Sequence, residues 1–168
     1  MISHAKPGPP GSRDAPSGRP PKDTVGGGAG ENARIALHLL TIGVDAKAAY
    51  LFSARELDLT IGQPAGGRPL LHDDVMHGQA LLLSAQVASL YAPLAVDDIY
   101  AHPLIRRAEV LSGHRLRAFL GAPIRDADGA LLGVMCAIDT VVRRWTAQDC
   151  AMIAQIVAQL DLRRLSFF

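Results

Sequence analysis

Two apolar runs joined by an Asp-Gly turn constrain this chain more than any other stretch. Arg117-Ala118-Phe119-Leu120-Gly121-Ala122-Pro123-Ile124-Arg125 and Leu131-Leu132-Gly133-Val134-Met135-Cys136-Ala137-Ile138-Asp139 flank Asp126-Ala127-Asp128-Gly129. Aspartates in such a turn bond nearby backbone amides, and glycine takes positive φ at little cost, so the stretch predicts a hairpin. The second run is apolar on both alternating sides, with Leu131, Met135 and Ala137 on one and Leu132, Val134, Cys136 and Ile138 on the other. A strand with a solvated face would alternate with polar residues, so this strand is expected at the centre of a sheet, covered on both sides. Each large side chain buried there contributes roughly 1.5–3 kcal/mol, enough to make the hairpin the expected nucleus of the core. Gly133, set among larger residues, marks an expected close approach of another element.

The 168-residue chain suits one domain and an appendage. A formal net charge of +1 gives no overall bias toward nucleic acid or acidic partners. Two cysteines, Cys136 and Cys150, form no disulfide framework and no CxxC pair, which fits a reducing, cytoplasmic setting. The N-terminus lacks the apolar core of a signal peptide. The uncharged window from Val75 to Val96 is interrupted by His77, Gln79, Ser84, Gln86, Ser89 and Pro93, which speaks against a membrane span.

Residues 1–30 alternate proline with glycine and contain no aromatic residue, a composition expected to stay disordered, as a tail or linker. The domain is expected over residues 31–168. Ala33, Leu37 and Leu40 recur at helical spacing, with Ile35 and Leu39 beside them and Gly43 as the expected stop. A first hairpin is expected over Ala46–Ser53 and Glu56–Gln63, the latter solvated on one face. Asp73 or Asp74 can cap a helix running to about Val87, with Val75, Leu82 and Gln79 on one face. A short strand over Tyr91–Val96 leads into a partly irregular flap from Ile99 to Leu116. Thr146-Ala147-Gln148-Asp149 has the capping-box spacing, and Cys150, Ile153, Val157 and Leu160 follow as a helical stripe, with Met152 and Ile156 widening it.

Few residues suggest chemistry. Cys136 in an apolar strand reads as a small buried hydrophobe, and Cys150 as part of the helix stripe. His72, Asp73, Asp74 and His77 are the one compact group of metal-ligating types, but capping and solvent exposure account for them better and no metal site is expected. Asp97, Asp98, Tyr100 and His102 form a polar run that serves either as a pocket rim or as loop chemistry. There is no Gly-x-Ser-x-Gly elbow, and the tail's glycines lack the Lys-Ser/Thr of a phosphate-binding loop.

The order helix, hairpin, helix, strand, flap, hairpin, helix resembles the GAF domain. The residues that carry the likeness are Phe119-Leu120-Gly121-Ala122-Pro123-Ile124, the Asp128-Gly129 turn, Leu132-Gly133-Val134-Met135-Cys136-Ala137-Ile138-Asp139 and Trp145-Thr146, with Pro93-Leu94-Ala95-Val96-Asp97-Asp98 as a looser match. The resemblance implies an α+β fold, a central antiparallel sheet with the terminal helices on one face and a flap and helix over a small-molecule pocket on the other. It implies a non-enzymatic sensory or regulatory role, dimerisation through the terminal helices, and action on a separate effector protein or within a longer signalling protein. No nucleic-acid or membrane partner is implied. The ligand-site residues it suggests are Leu94, Asp98, Tyr100, Phe119 and Met135. It names no cofactor: the cyclic-nucleotide signature is missing, neither cysteine stands where bilin-attaching members place theirs, and the free methionine sulfoxide reductase branch uses more cysteines than Cys136 and Cys150. A ligand-free GAF-fold interaction module is the alternative.

Overall fold

The computed structural model describes residues 29–54, 60–64, 74–102 and 116–160. Residues 1–28 of the expected tail, the His72–Asp73 pair, most of the flap and the start of the second expected strand lie outside them. The elements are α1 (Ala29–Gly43), β1 (Ala48–Ser53), β2 (Thr60–Pro64), α2 (Asp74–Ala88), β3 (Leu94–Val96), β4 (Ala118–Arg125), β5 (Leu131–Asp139) and α3 (Ala147–Gln159). The strands form one five-stranded antiparallel sheet in the order β2-β1-β5-β4-β3. The doubly apolar strand β5 is its centre, between β1 and β4, as its two-sided pattern requires.

The hairpin turn works as its residues dictate. Asp126 Oδ1 accepts from the N–H groups of Asp128 (3.0 Å) and Ala130 (2.8 Å), and Gly129 takes φ +84°. Beyond it the ladder slips. Ile124 pairs with Gly133 but Arg125 pairs with Leu131, so Leu132 is an extra residue on β5. A bulge of this kind turns the side chains on either side of it to different faces. Leu132 therefore packs with Met135 on the α1/α3 side, not with Val134, Cys136 and Ile138 as simple alternation would have it.

One face of the sheet is covered by the terminal helices. Ala33, Leu37 and Leu40 of α1, Ile153 of α3 and Trp145 pack on Ala49, Leu51, Leu120, Ala122, Met135 and Ala137. Gly43 ends α1 in sequence, but the left-handed residue that turns the chain is Asp45, at φ +49°. Gly43 instead makes room. A Cβ there would stand on the Met152 sulfur, so the glycine lets α1 and α3 cross closely. Arg143 fastens the same corner by donating to the carbonyls of Val44 and Asp45 and stacking 4.7 Å above the Trp145 ring. The capping box forms as spaced: Thr146 Oγ1 accepts from the Asp149 N–H at 3.2 Å, and Asp149 Oδ2 accepts from the Thr146 N–H at 2.8 Å.

The other face is covered by α2, through Met76, Ala80, Leu83 and Val87. Their spacing of four, three and four residues is one helical stripe. Leu82, expected on the inner face, is exposed instead, while Gln79 and Ser84 are buried along the two edges of the stripe. The strand before the flap is shorter than expected, and Tyr91 stands exposed outside it, beneath the Arg125 guanidinium at 4.3 Å.

Candidate functional site

The site begins where β3 leaves the sheet. Val96 ends β3, and Asp97 and Asp98 follow with their side chains committed in different directions. Asp97 accepts from the Trp145 N–H at 2.9 Å, on the α3 side. Asp98 Oδ1 accepts from the Tyr100 N–H at 3.1 Å, and its other oxygen meets the Arg117 guanidinium at 3.1 Å. Arg117 also lies over the Tyr100 ring, 5.0 Å from its centroid. Asp98, Tyr100 and Arg117 thus form one polar cluster at the end of β4, half-exposed, so the ion pair orders the cluster more than it stabilises the fold. The main chain beside it is fixed as well: the Ile99 N–H donates to the Arg117 carbonyl at 2.9 Å.

Beneath the cluster lies Gln79 of α2. Its side chain is almost wholly buried, and its Oε1 accepts from the Leu116 N–H at 3.3 Å. Because that partner can only donate, the oxygen must face it and the Nε2 group faces the other way. Among the described residues Nε2 has no hydrogen-bond partner, and neither do the buried Nδ1 of His102 and Nε of Arg117. A buried polar group left unpaired costs about 1–3 kcal/mol, so each such group calls for an explanation, whether an ordered water, an ion, a ligand or local strain. All three belong to α2 or to the main-chain junction formed by residues 98–102 and 116–117. Two more such atoms are Ser84 Oγ on α2 and Arg125 Nε at the far end of β4, where the guanidinium's other nitrogens bond the carbonyls of Ala88, Leu90 and Gly129.

The five site residues suggested by the sequence do not all meet. Asp98 and Tyr100 join one cluster, and Leu94 is half-buried on the α2 side with Phe119. Met135 is the correction: it is fully buried among the α1 and α3 residues on the opposite face of the sheet. The bulge is again the reason. Without the extra residue Phe119 would lie opposite Ala137 and share a face with Met135, but the slip sets it opposite Ile138. Phe119 is itself wholly enclosed, its ring 2.7 Å from where a Cβ on Gly121 would stand and beside Val87.

Three further residues carry no special sequence signal. Gln79 could have been found as the polar member of the α2 stripe, between Met76 and Leu83. Arg117 and Arg143 look like ordinary strand-end charges. Of the four residues of metal-ligating type, the His77 side chain is described, and it packs against the rings of Tyr50 (6.1 Å) and Phe52 (5.7 Å). Among the described residues no group of three or more histidines, cysteines or carboxylates is placed to hold a metal ion. The pKa of the Cys136 thiol is pushed up to about 12, chiefly by burial and only partly offset by the Ser84 hydroxyl beside it; burial and then the Asp149 charge raise that of Cys150.

The GAF domain family model matches residues 31–163. The chain belongs to the GAF domain family. Solved structures agree on the fold. GAF3 from Slr1393 of Synechocystis sp. PCC6803, in its photoproduct state, is 17% identical with a TM-score of 0.58, over 79% of this chain and 90% of that one. The cyanobacteriochrome TePixJ GAF domain is 17% identical with a TM-score of 0.56, over 82% and 92%. Free methionine-R-sulfoxide reductase from Neisseria meningitidis, in complex with its substrate, is 19% identical with a TM-score of 0.51, over 77% and 74%. No curated protein matches the chain. This GAF domain therefore shares its architecture with photoreceptor sensory domains and also with an enzyme. Among its described residues no helix is long and apolar enough to cross a membrane.

Proposed function

We propose that this GAF domain is a non-catalytic, small-molecule-sensing regulatory module that holds its ligand on the α2 face of the sheet. The observation that carries the reading is an asymmetry of unpaired groups. Among the described residues Gln79 Nε2 on α2, and His102 Nδ1 and Arg117 Nε at the adjoining junction, are buried without partners, whereas the buried Thr41 hydroxyl of α1, toward the other layer, donates to the Leu37 carbonyl at 2.7 Å. Leu94 and Phe119 supply apolar surface there, and Asp98 and Tyr100 the polar edge. A non-catalytic role is supported by the thiols, since both cysteines are held toward their protonated, unreactive form. The output passes to a separate effector protein or to further domains of a longer chain, in a cytoplasmic setting without nucleic acid or membrane.

Dimerisation through the terminal helices is the second part of the proposal. Ile35, Leu39 and Ile42 share one face of α1 and are 48%, 55% and 65% exposed, too apolar a stripe for water alone. Half-buried Ile156 of α3 extends the terminal-helix surface, while Met152 is turned toward Gly43 within the same chain. This stripe also favours the alternative reading, a ligand-free interaction module. Hydrogen exchange separates the two: stripping a native ligand by unfolding and refolding should lower protection in α2 and β3 and leave α1 and α3 unchanged. Protection unchanged throughout would favour the ligand-free module.

A further inference from the structure

Gln79 carries information about what the site takes, given the ligand-binding reading above. Its oxygen is fixed on the Leu116 N–H, so the group left for a ligand is an uncharged N–H donor. The surroundings are apolar: Met76, Ala80, Ile99, Leu116 and Phe119 are all buried in the same layer. Among the described residues the one cation beside it, Arg117, has its charge offset by Asp98 at 3.1 Å and covers the Tyr100 ring, with its Nε left unpartnered. An anion placed against Gln79 would lose its hydration and, among the described residues, meet an arginine whose charge Asp98 already offsets. A neutral acceptor loses far less and satisfies the amide.

We propose that Gln79 is the polar anchor of the ligand site, and that it selects a largely apolar molecule presenting a neutral carbonyl oxygen over one presenting a carboxylate or phosphate. Gln79 donates from Nε2 to that oxygen, while Oε1 stays on Leu116. The anchor thereby links the ligand to both α2 and the first residue of the β4 approach. A site built to give a hydrogen bond rejects analogues that cannot accept it, because the donor is then left unpaired.

The test is a nuclear magnetic resonance titration of the intact, isotopically labelled chain with N-methylacetamide, sodium acetate and inorganic phosphate at matched ionic strength. The Gln79 side-chain NH2 resonance is assigned by its loss in Gln79→Leu, and the titration itself is read on the parent protein, so a misfolded variant does not block the result. A saturable shift of that NH2 signal with N-methylacetamide, with at most the bulk response to acetate and phosphate, is expected. An equal or larger saturable response to acetate or phosphate would overturn the inference. So would a Gln79 signal that no probe moves. In that last case, saturable shifts at Ile99 or Phe119 would leave the ligand-binding reading standing, and silence across the α2 face would count against both.

Discussion

The Asp97 carboxylate accepts the main-chain N–H of Trp145 at 2.9 Å, tying the end of β3 to the entry of α3. Two more bonds run alongside it, from the Trp145 indole to the Val96 carbonyl at 3.2 Å and from the Arg143 N–H to the Asp97 carbonyl at 3.0 Å. Neighbouring Asp98 turns instead to the Tyr100 N–H and the Arg117 guanidinium, so adjacent carboxylates serve different partners. Replacing Asp97 with alanine removes one charge-assisted bond and should lower stability by about 1–2 kcal/mol. Urea denaturation checks this, with an unchanged midpoint as the contrary result.

Gly121 should not tolerate even a methyl group. A Cβ there would lie 2.7 Å from the Phe119 ring and 3.0 Å from a Val87 methyl. Neither atom ends a long flexible side chain, so Gly121→Ala should cost about 1–3 kcal/mol by overpacking. At about 2–4 °C per kcal/mol for a chain of this size, thermal melting resolves the loss. A variant that melts with the parent would mean that α2 sits less tightly on the sheet than described.

The thiols make an opposite pair in alkylation. At pH 8 iodoacetamide should label half-buried Cys150 first and leave Cys136 untouched while the domain is folded, which mass spectrometry of timed digests reads directly. The stability consequence has a definite sign. Burial raises the folded-state pKa of Cys136 from 9.0 to about 12, so above pH 9 the unfolded chain releases its proton while the folded one keeps it. Stability is therefore full below pH 9 and falls as pH rises toward 12. Cys136→Ala should flatten that fall, because no proton remains to be released; an unchanged slope in urea denaturation between pH 9 and 11 would contradict this.

How much of this was legible in the sequence depended on whether a feature was local. The Asp-Gly turn, the capping box of Thr146 and Asp149, and the central place of β5 all follow from neighbouring residues, and all stand in the fold. What failed was register. Nothing in Leu131-Leu132-Gly133 announces an extra residue, yet that bulge reverses the face of Leu132 and separates Phe119 from Met135. Gly43 reads as a helix stop, and α1 does end there; what the sequence does not announce is the approach of Met152 to it. Gln79 is hidden for a related reason, since its importance rests on the distant Leu116 N–H.

The surplus apolar stripe of α1 makes a prediction about assembly. Leu39→Glu places a charge at its centre, where a dimer would have to bury it unpaired. Sedimentation should show a parent dimer and a variant monomer with the same circular dichroism spectrum. A parent already at monomer mass would rule out the dimer.

Ligand binding on the α2 face is most directly tested by native mass spectrometry of the chain purified from the organism that encodes it. The expected result is a mass above that of the polypeptide, with the excess released on denaturation as one small molecule per subunit and much reduced in Gln79→Leu. A bare polypeptide mass under gentle conditions, in protein that is folded and freshly isolated, would contradict it.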